Sequence, residues 1–251
     1  VEETSNDHEL AENLATEVGK ALLELREDLH SKGIEGKELK DAGDSHAHEI
    51  IISQLSKLRP NDAVLSEEGK DDEERLSAPR VWIVDPLDGT REFSEVPRTD
   101  WAVHIALVEN NKPVAGAVSL PAQSITYSTF KTPEQPSGNE KIKVIVSRTR
   151  RPEPAIKLAE KLDAEYIEMG SAGAKAMAVV RGEADIYAHA GGQYEWDSCA
   201  PVTVAKAAGL HCSRIDGSEL LYNQKDVYLP DLLICRPELA EESLRIISEM
   251  T

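Results

Sequence analysis

A chain of 251 residues with 46 acidic against 28 basic side chains carries a formal charge of −18. Such a charge repels nucleic-acid backbones and anionic membrane surfaces, which sets aside polymeric nucleic acid and membranes as partners. A hydrophobic fraction of 40% and a charged fraction of 29% exclude disorder, although three Trp, six Tyr and two Phe make the chain poor in aromatics.

The length suits one large α/β unit or two packed lobes. From position 5 to about 30, Leu10, Leu14, Val18, Ala21, Leu22, Leu25 and Leu29 recur at three- and four-residue steps and Gly33 closes the run, which predicts an amphipathic helix. A second helix is expected after GDSH, with Asp44 and Ser45 at its N-terminal end, Ile51, Leu55 and Leu58 on one side, and Arg59-Pro60 as its stop. The short run AVL ending in SEE, and VWIV ending in DPLDGT, read as strands whose carboxyl ends present acid-bearing loops. AVHIALVENNKPVAGAVSL reads as a hairpin turning at Asn110-Asn111, and SITYSTF as a further strand.

Residues 131–141, KTPEQPSGNEK, hold Pro, Gly and charge without periodicity and mark an exposed loop. That loop divides an N-terminal lobe, 1–135, with a helix pair and a largely antiparallel sheet, from a C-terminal α/β lobe, 136–251. In the second lobe KIKVIVS, PEPAIKLAEKL, AEYIEM, SAGAKAMAVVRG, ADIYAHA and DSCAPVTVAKAAG alternate strand and helix as in an open α/β sheet. DLLIC and PELAEESLRIISEM complete it. Cys199, Cys212 and Cys235 are odd in number and lack a CxxC spacing, so they read as reduced core residues. No apolar run reaches membrane-spanning length and the N-terminus lacks the basic-then-apolar order of a secretory signal, which favours the cytoplasm while leaving open a leader removed before Val1.

The chemistry concentrates in VWIVDPLDGTREF, 81–93, where a buried strand ends in two carboxylates. Pro86 biases Asp85 toward an extended backbone and Gly89 permits a tight turn or a close approach by a ligand. Asp85 and Asp88, with the carbonyl of Leu87 between them, are hard oxygen donors suited to Mg2+ or Mn2+. The loop then enters a helix at Thr90, which aims the amides of Gly89 and Thr90 at a phosphate position. Downstream, Pro201 is disfavoured inside a helix, so a helix should begin near Asp197-Ser198 and leave the Asp197 carboxylate at its positive end. GSAGAK offers Gly170 and Ser171 at a helix start and Lys175 one turn in; Ser147-Arg148-Thr149-Arg150 follows a strand, and two arginines there could grip a phosphate. His46 and His48, two positions apart on a helix, do not face one another and read as solvent-exposed. His104 and His189 read as hydrogen-bonded residues of the core or of a pocket wall.

SEE followed by WIVDPLDGT, with WDSCAP far downstream, resembles the inositol monophosphatase superfamily of Mg2+-dependent, lithium-sensitive phosphatases over nearly the whole chain. DPLDGTREF, GSAGAKAMAV and GGQYEWDSCAP resemble its CysQ-like 3'(2'),5'-bisphosphate nucleotidases of actinobacterial type, which remove the 3'-phosphate of 3'-phosphoadenosine 5'-phosphate in sulfur metabolism. The resemblance implies a layered αβαβα sandwich of two packed lobes and two or three Mg2+ ions, with Mn2+ as a substitute. It implies that Glu67, Asp85 and the Leu87 carbonyl hold one ion and that Asp85, Asp88 and Asp197 hold a second. It further implies that Thr90 orients the attacking water and that Asp44, with Glu67, draws its proton. The usual S-P-V-T-x-A-D of the family reads LKDAGD here, which leaves Asp41 as the alternative to Asp44. Substrate contacts implied are Asp88, Gly89, Thr90, Ser147, Arg148, Arg150, Gly170, Ser171 and Lys175. In this reading the partner is a small phosphorylated nucleotide, 3'-phosphoadenylyl sulfate included; the oligomeric state stays open, a homodimer being one option. An inositol or fructose bisphosphate phosphatase of the same fold is the competing enzyme, and a non-catalytic metal- or nucleotide-binding module the competing class.

Overall fold

The computed structural model describes residues 6 to 250, so the expected helix start at position 5 lies outside the described residues. Helix α1 (Asp7–Ser31) is capped by Asn6, whose side chain accepts from the amides of His8 and Glu9. Its apolar stripe, Leu10, Leu14, Val18 and Leu22, is buried as the spacing predicts.

Helix α2 (Gly36–Leu58) begins about two turns before the GDSH signal, which corrects the expected start at Asp44. Leu39, Gly43, Ala47, Ile51 and Leu55 form one four-residue stripe that continues straight through LKDAGD. Gly43 therefore does not break the helix. A Cβ there would lie 2.8 Å from both Leu87 Cδ2 and Phe93 Cε1, so the glycine lets α2 press against the end of the acid-bearing strand. Asp44 and Ser45 are mid-helix as a result. His46 and His48, expected in solvent, are half-buried; His48 Nδ1 lies 3.0 Å from Ser66 Oγ at the end of the first strand.

The first sheet has the order β1 (Ala63–Ser66), β2 (Arg80–Asp88), β3 (Ala102–Glu109), β4 (Lys112–Leu120), β5 (Ile125–Ser128). β1 and β2 are parallel and the remaining pairs antiparallel. Asn110 and Asn111, both at positive φ, make the expected turn between β3 and β4. Residues 131–141 form no helix or strand and lead to the second sheet.

That sheet has the order β7 (Glu165–Met169), β6 (Lys143–Ser147), β8 (Ile186–Ala190), β10 (Asp231–Cys235), β9 (His211–Ser213). β6 pairs in parallel with β7 and β8, as strand-helix alternation predicts, whereas β10 and β9 add antiparallel strands to that edge. β9 was not among the expected elements. Helices α4 (Glu153–Lys161) and α7 (Pro237–Ser248) cover the outer face of this sheet, and α5 (Ala172–Val180) and α6 (Glu195–Ala207) lie between the two sheets.

Three apolar clusters hold these layers together. Trp82, Val84, Val103 and Ile105 pack on α1 and α2, while the alternate residues Val81, Ile83 and Ala106 face α5, α6 and the second sheet. The outer cluster joins Val144, Ile186 and Leu233 to α4 and α7. The order helix, sheet, helix, sheet, helix is the αβαβα sandwich expected. No helix among the described residues is long and apolar enough to cross a membrane.

Candidate functional site

β2 pairs regularly with β3 as far as Asp85 opposite His104, then slips in register before Asp88 opposite Ala102. The slip turns both carboxylates to one side. Asp85 Oδ1 accepts from the Leu87 amide at 3.1 Å, which folds the tip of the strand back on itself. Gly89 has φ +85°, and a Cβ on it would sit 3.1 Å from Ser171 Cβ, so this turn needs glycine both for its backbone and for space. Helix α3 (Thr90–Ser94) starts immediately after it. Three of its neighbouring carbonyls, those of Glu92, Phe93 and Arg98, accept from the buried guanidinium of Arg26 on α1.

Asp197 enters from α6. The helix begins at Glu195, two residues before the expected start, and takes Pro201 into its interior, where the missing proline N–H leaves the Asp197 carbonyl without its helical donor. Asp197 is thus the third residue of the helix, with its carboxylate accepting from the Tyr194 amide at 2.7 Å. One oxygen each from Asp85, Asp88 and Asp197 lies within 4.8 Å of the others.

Burial, and then the charges of Glu67, Asp88 and Asp197, push Asp85 well above the usual carboxylate range. Asp197 is pushed up to about 7 by burial and then by Asp88. Glu67, after β1, is exposed as a residue, yet protein crowds its carboxyl, and that crowding with the charges of Asp88, Glu68 and Asp44 pushes it up to about 7 against a hydrogen bond shared with Asp85. Asp88 behaves oppositely. Burial opposes its charge, but His104 Nε2 at 3.2 Å, the Ser171 hydroxyl and the Gly173 amide at 2.7 Å hold it below the usual range. A group of carboxyls that raise one another's pKa, all hard oxygen donors, fits a divalent cation, whose charge lowers them together.

A match to the model of the inositol monophosphatase family covers residues 3–250. The chain belongs to that family. It is 48% identical over 257 residues to the 3'-phosphoadenosine 5'-phosphate phosphatase of Mycobacterium leprae (strain TN), an alignment covering 97% of this chain and 94% of the relative. Among solved structures, CysQ from Bacteroides thetaiotaomicron superposes with TM-score 0.77 at 28% identity, covering 92% of this chain and 97% of that one. Inositol monophosphatase II from Staphylococcus aureus MSSA476 superposes with TM-score 0.81 at 21% identity, covering 96% and 92%.

Around the carboxylates, the family member's other sequence-expected residues fall into two groups. Thr90 opens α3, half-buried, and its hydroxyl bonds no other described residue. Asp44 is half-buried on α2 and pushed up to about 7 by burial and then by Glu68 and Asp41; its charge reaches Glu67, whereas Asp41 is exposed and paired with Lys37. The donors of GSAGAK are engaged within the protein: the Gly170 amide gives to Asp100 at 2.6 Å, Ser171 Oγ gives to Asp88, and Lys175 Nζ gives to the Ser171 carbonyl at 2.6 Å above the Tyr187 ring. Burial lowers the pKa of Lys175 against the pull of Asp88 and Glu92.

Arg148 is held by Glu92 at 2.6 Å and Glu95 at 2.7 Å, tying it to α3. Arg150 instead reaches the Gly191 carbonyl at 2.6 Å and lies 3.2 Å from His189 Nε2, while Ser147 Oγ is 3.2 Å from Thr149 Oγ1. His104 and His189 are buried and hydrogen-bonded to the carbonyls of Trp196 and Gly191. Sequence reading missed Glu92, Asp100 and Arg26. The structure shows why residue 170 is glycine: a Cβ there would come within 2.3 Å of the Glu92 side chain.

Proposed function

We propose that the chain is a Mg2+-dependent phosphomonoesterase that removes the 3'-phosphate of 3'-phosphoadenosine 5'-phosphate, and of 3'-phosphoadenylyl sulfate, in cytoplasmic sulfur assimilation. The observation that carries the chemistry is the convergence of Asp85, Asp88 and Asp197 within 4.8 Å beside the start of α3; the 48% identity with a phosphatase of that substrate supports the choice of nucleotide. Free cysteines, two of them buried, agree with a reducing compartment.

In this reading Glu67, Asp85 and the Leu87 carbonyl would hold one ion and Asp85, Asp88 and Asp197 another, two or three Mg2+ ions in all, with Mn2+ as a substitute. A metal held there would supply a lowered pKa for a bound water and charge stabilisation for the leaving oxygen. The chain's own groups do the positioning. Thr90 Oγ1 orients the water, Asp44 and Glu67 take its proton, and the amides of Gly89 and Thr90 at the start of α3 face the phosphate. His104, Ser171 and Gly173 keep Asp88 ionised and fixed. Arg150 and Lys175 supply positive charge for the second phosphate, and Arg148 steadies α3 through Glu92 and Glu95.

Phosphate release from 3'-phosphoadenosine 5'-phosphate, measured with and without Mg2+ for the wild type and Asp85→Asn, tests this. Turnover that needs Mg2+ and falls by orders of magnitude in a folded Asp85→Asn variant is expected, because a neutral amide of the same shape replaces a carboxylate that would serve both ions. Asp85→Asn turning over within a few-fold of wild type at saturating Mg2+ would overturn the metal assignment.

A further inference from the structure

We propose that Tyr194 and Tyr228 form the seat of the purine ring, which makes them specificity-determining residues; the inference rests on the nucleotide reading above and adds the part of the site that recognises the base. Among the described residues, Phe93, Trp82, Trp101, Tyr187 and Tyr222 are buried, whereas Tyr194 is 42% and Tyr228 45% exposed. Phe130, the other exposed ring at 41%, stands after β5, whereas the two exposed tyrosines stand together. Residues 191–195 run antiparallel to 227–230, with Gly191 N to Pro230 O at 2.7 Å, Leu229 N to Gln193 O at 3.1 Å and Glu195 N to Val227 O at 2.9 Å, and Tyr194 stands opposite Tyr228. Backbone pairing therefore sets the rings side by side, centroids 5.5 Å apart at 68°.

Tyr194 also stacks on Trp196, 5.1 Å apart and 11° from parallel, and the Tyr228 hydroxyl accepts from the Gly192 amide at 3.2 Å. This is a preorganised aromatic cluster whose outer surface is left to water. Its position is what gives it a ligand. On one side the Tyr194 amide bonds the Asp197 carboxylate. On the other the Gly191 carbonyl holds Arg150, whose guanidinium lies 3.6 to 3.8 Å from where side chains on Gly191 and Gly192 would begin. Over four residues the segment presents a cation, bare backbone, aromatic rings and then a carboxylate of the candidate metal cluster. A molecule carrying two phosphates and a planar base has a partner for each. Bases stack on aromatic faces, whereas inositol and sugar phosphates have no π face to offer.

The test uses the whole protein in Mg2+, titrated with AMP and, separately, with ribose 5-phosphate, following the fluorescence of Trp196; Trp82 and Trp101 are fully buried and serve as constant background. AMP should bind at least about ten-fold more weakly to Tyr228→Ala than to wild type, with Tyr228→Phe within about two-fold of wild type because it keeps the ring. Ribose 5-phosphate affinity should be the same in all three. Tyr194→Ala, at an equally exposed side chain, reads the same loss independently of how Tyr228→Ala folds. AMP affinity within two-fold of wild type in folded Tyr228→Ala and Tyr194→Ala, or equal losses for ribose 5-phosphate, would overturn the proposal. AMP binding requires no hydrolysis, so absence of turnover in the wild type would count against the proposed activity and leave this result standing.

Discussion

Arg148 and Arg150 look alike in the sequence, two arginines in one loop, yet their surroundings differ. Arg148 is neutralised by two carboxylates of the α3 region, while Arg150 lies on a backbone carbonyl beside Gly191 and Gly192. Arg150→Gln should therefore lower kcat/KM for 3'-phosphoadenosine 5'-phosphate by roughly ten- to a hundred-fold, the scale of a charge-assisted hydrogen bond, and leave inositol 1-phosphate little changed. Arg148→Gln should lower both substrates together, because it loosens α3 rather than a phosphate contact. Equal, substrate-independent effects from the two variants would remove Arg150 from the substrate site. The acids themselves were legible from D-P-L-D-G and W-D, since turn formers and hard donors share one short stretch. Glu92 and Asp100 were not, because their partners Arg148 and Gly170 lie far along the chain and pairing at that distance leaves no local pattern.

At the level of elements, periodicity recovered most strands and helices, and failed where glycine and proline were read only as breakers. Gly43 is a packing contact inside α2, and Pro201 is carried inside α6. In both cases tertiary packing overrides local preference: α2 is seated against Leu87 and Phe93, and α6 fills the space between the sheets. Gly43→Val should consequently cost about 1–3 kcal/mol in denaturant unfolding, by overpacking against Leu87 and Phe93, and should weaken turnover as the acid-bearing loop shifts. An unchanged unfolding midpoint would show that α2 does not rest on that loop. β9 escaped notice because three residues give no period to read.

Across the whole molecule, the five layers bring Asp44 and Glu67, Asp85 and Asp88, and Asp197 from four separate regions to one place, at a cost that depends on pH. Glu67, Asp44 and Asp197 are each pushed up to about 7, with burial the first cause. A carboxyl whose folded pKa is raised contributes stability below its unfolded value near 4, and loses that contribution as pH rises through about 7. Metal-free protein should melt at a lower temperature at pH 8 than at pH 5.5, and Mg2+ should raise the melting temperature more at pH 8, where the ionised acids bind it. A Mg2+ effect no larger at pH 8 than at pH 5.5, at equal ionic strength, would speak against these acids as its ligands. The central claim, removal of the 3'-phosphate at this cluster, is tested most directly by following 3'-phosphoadenosine 5'-phosphate with 31P NMR in Mg2+. The account predicts growth of inorganic phosphate and of 5'-AMP, with the 5'-phosphate resonance retained; formation of 3'-AMP, or no reaction while inositol 1-phosphate is consumed, would contradict it.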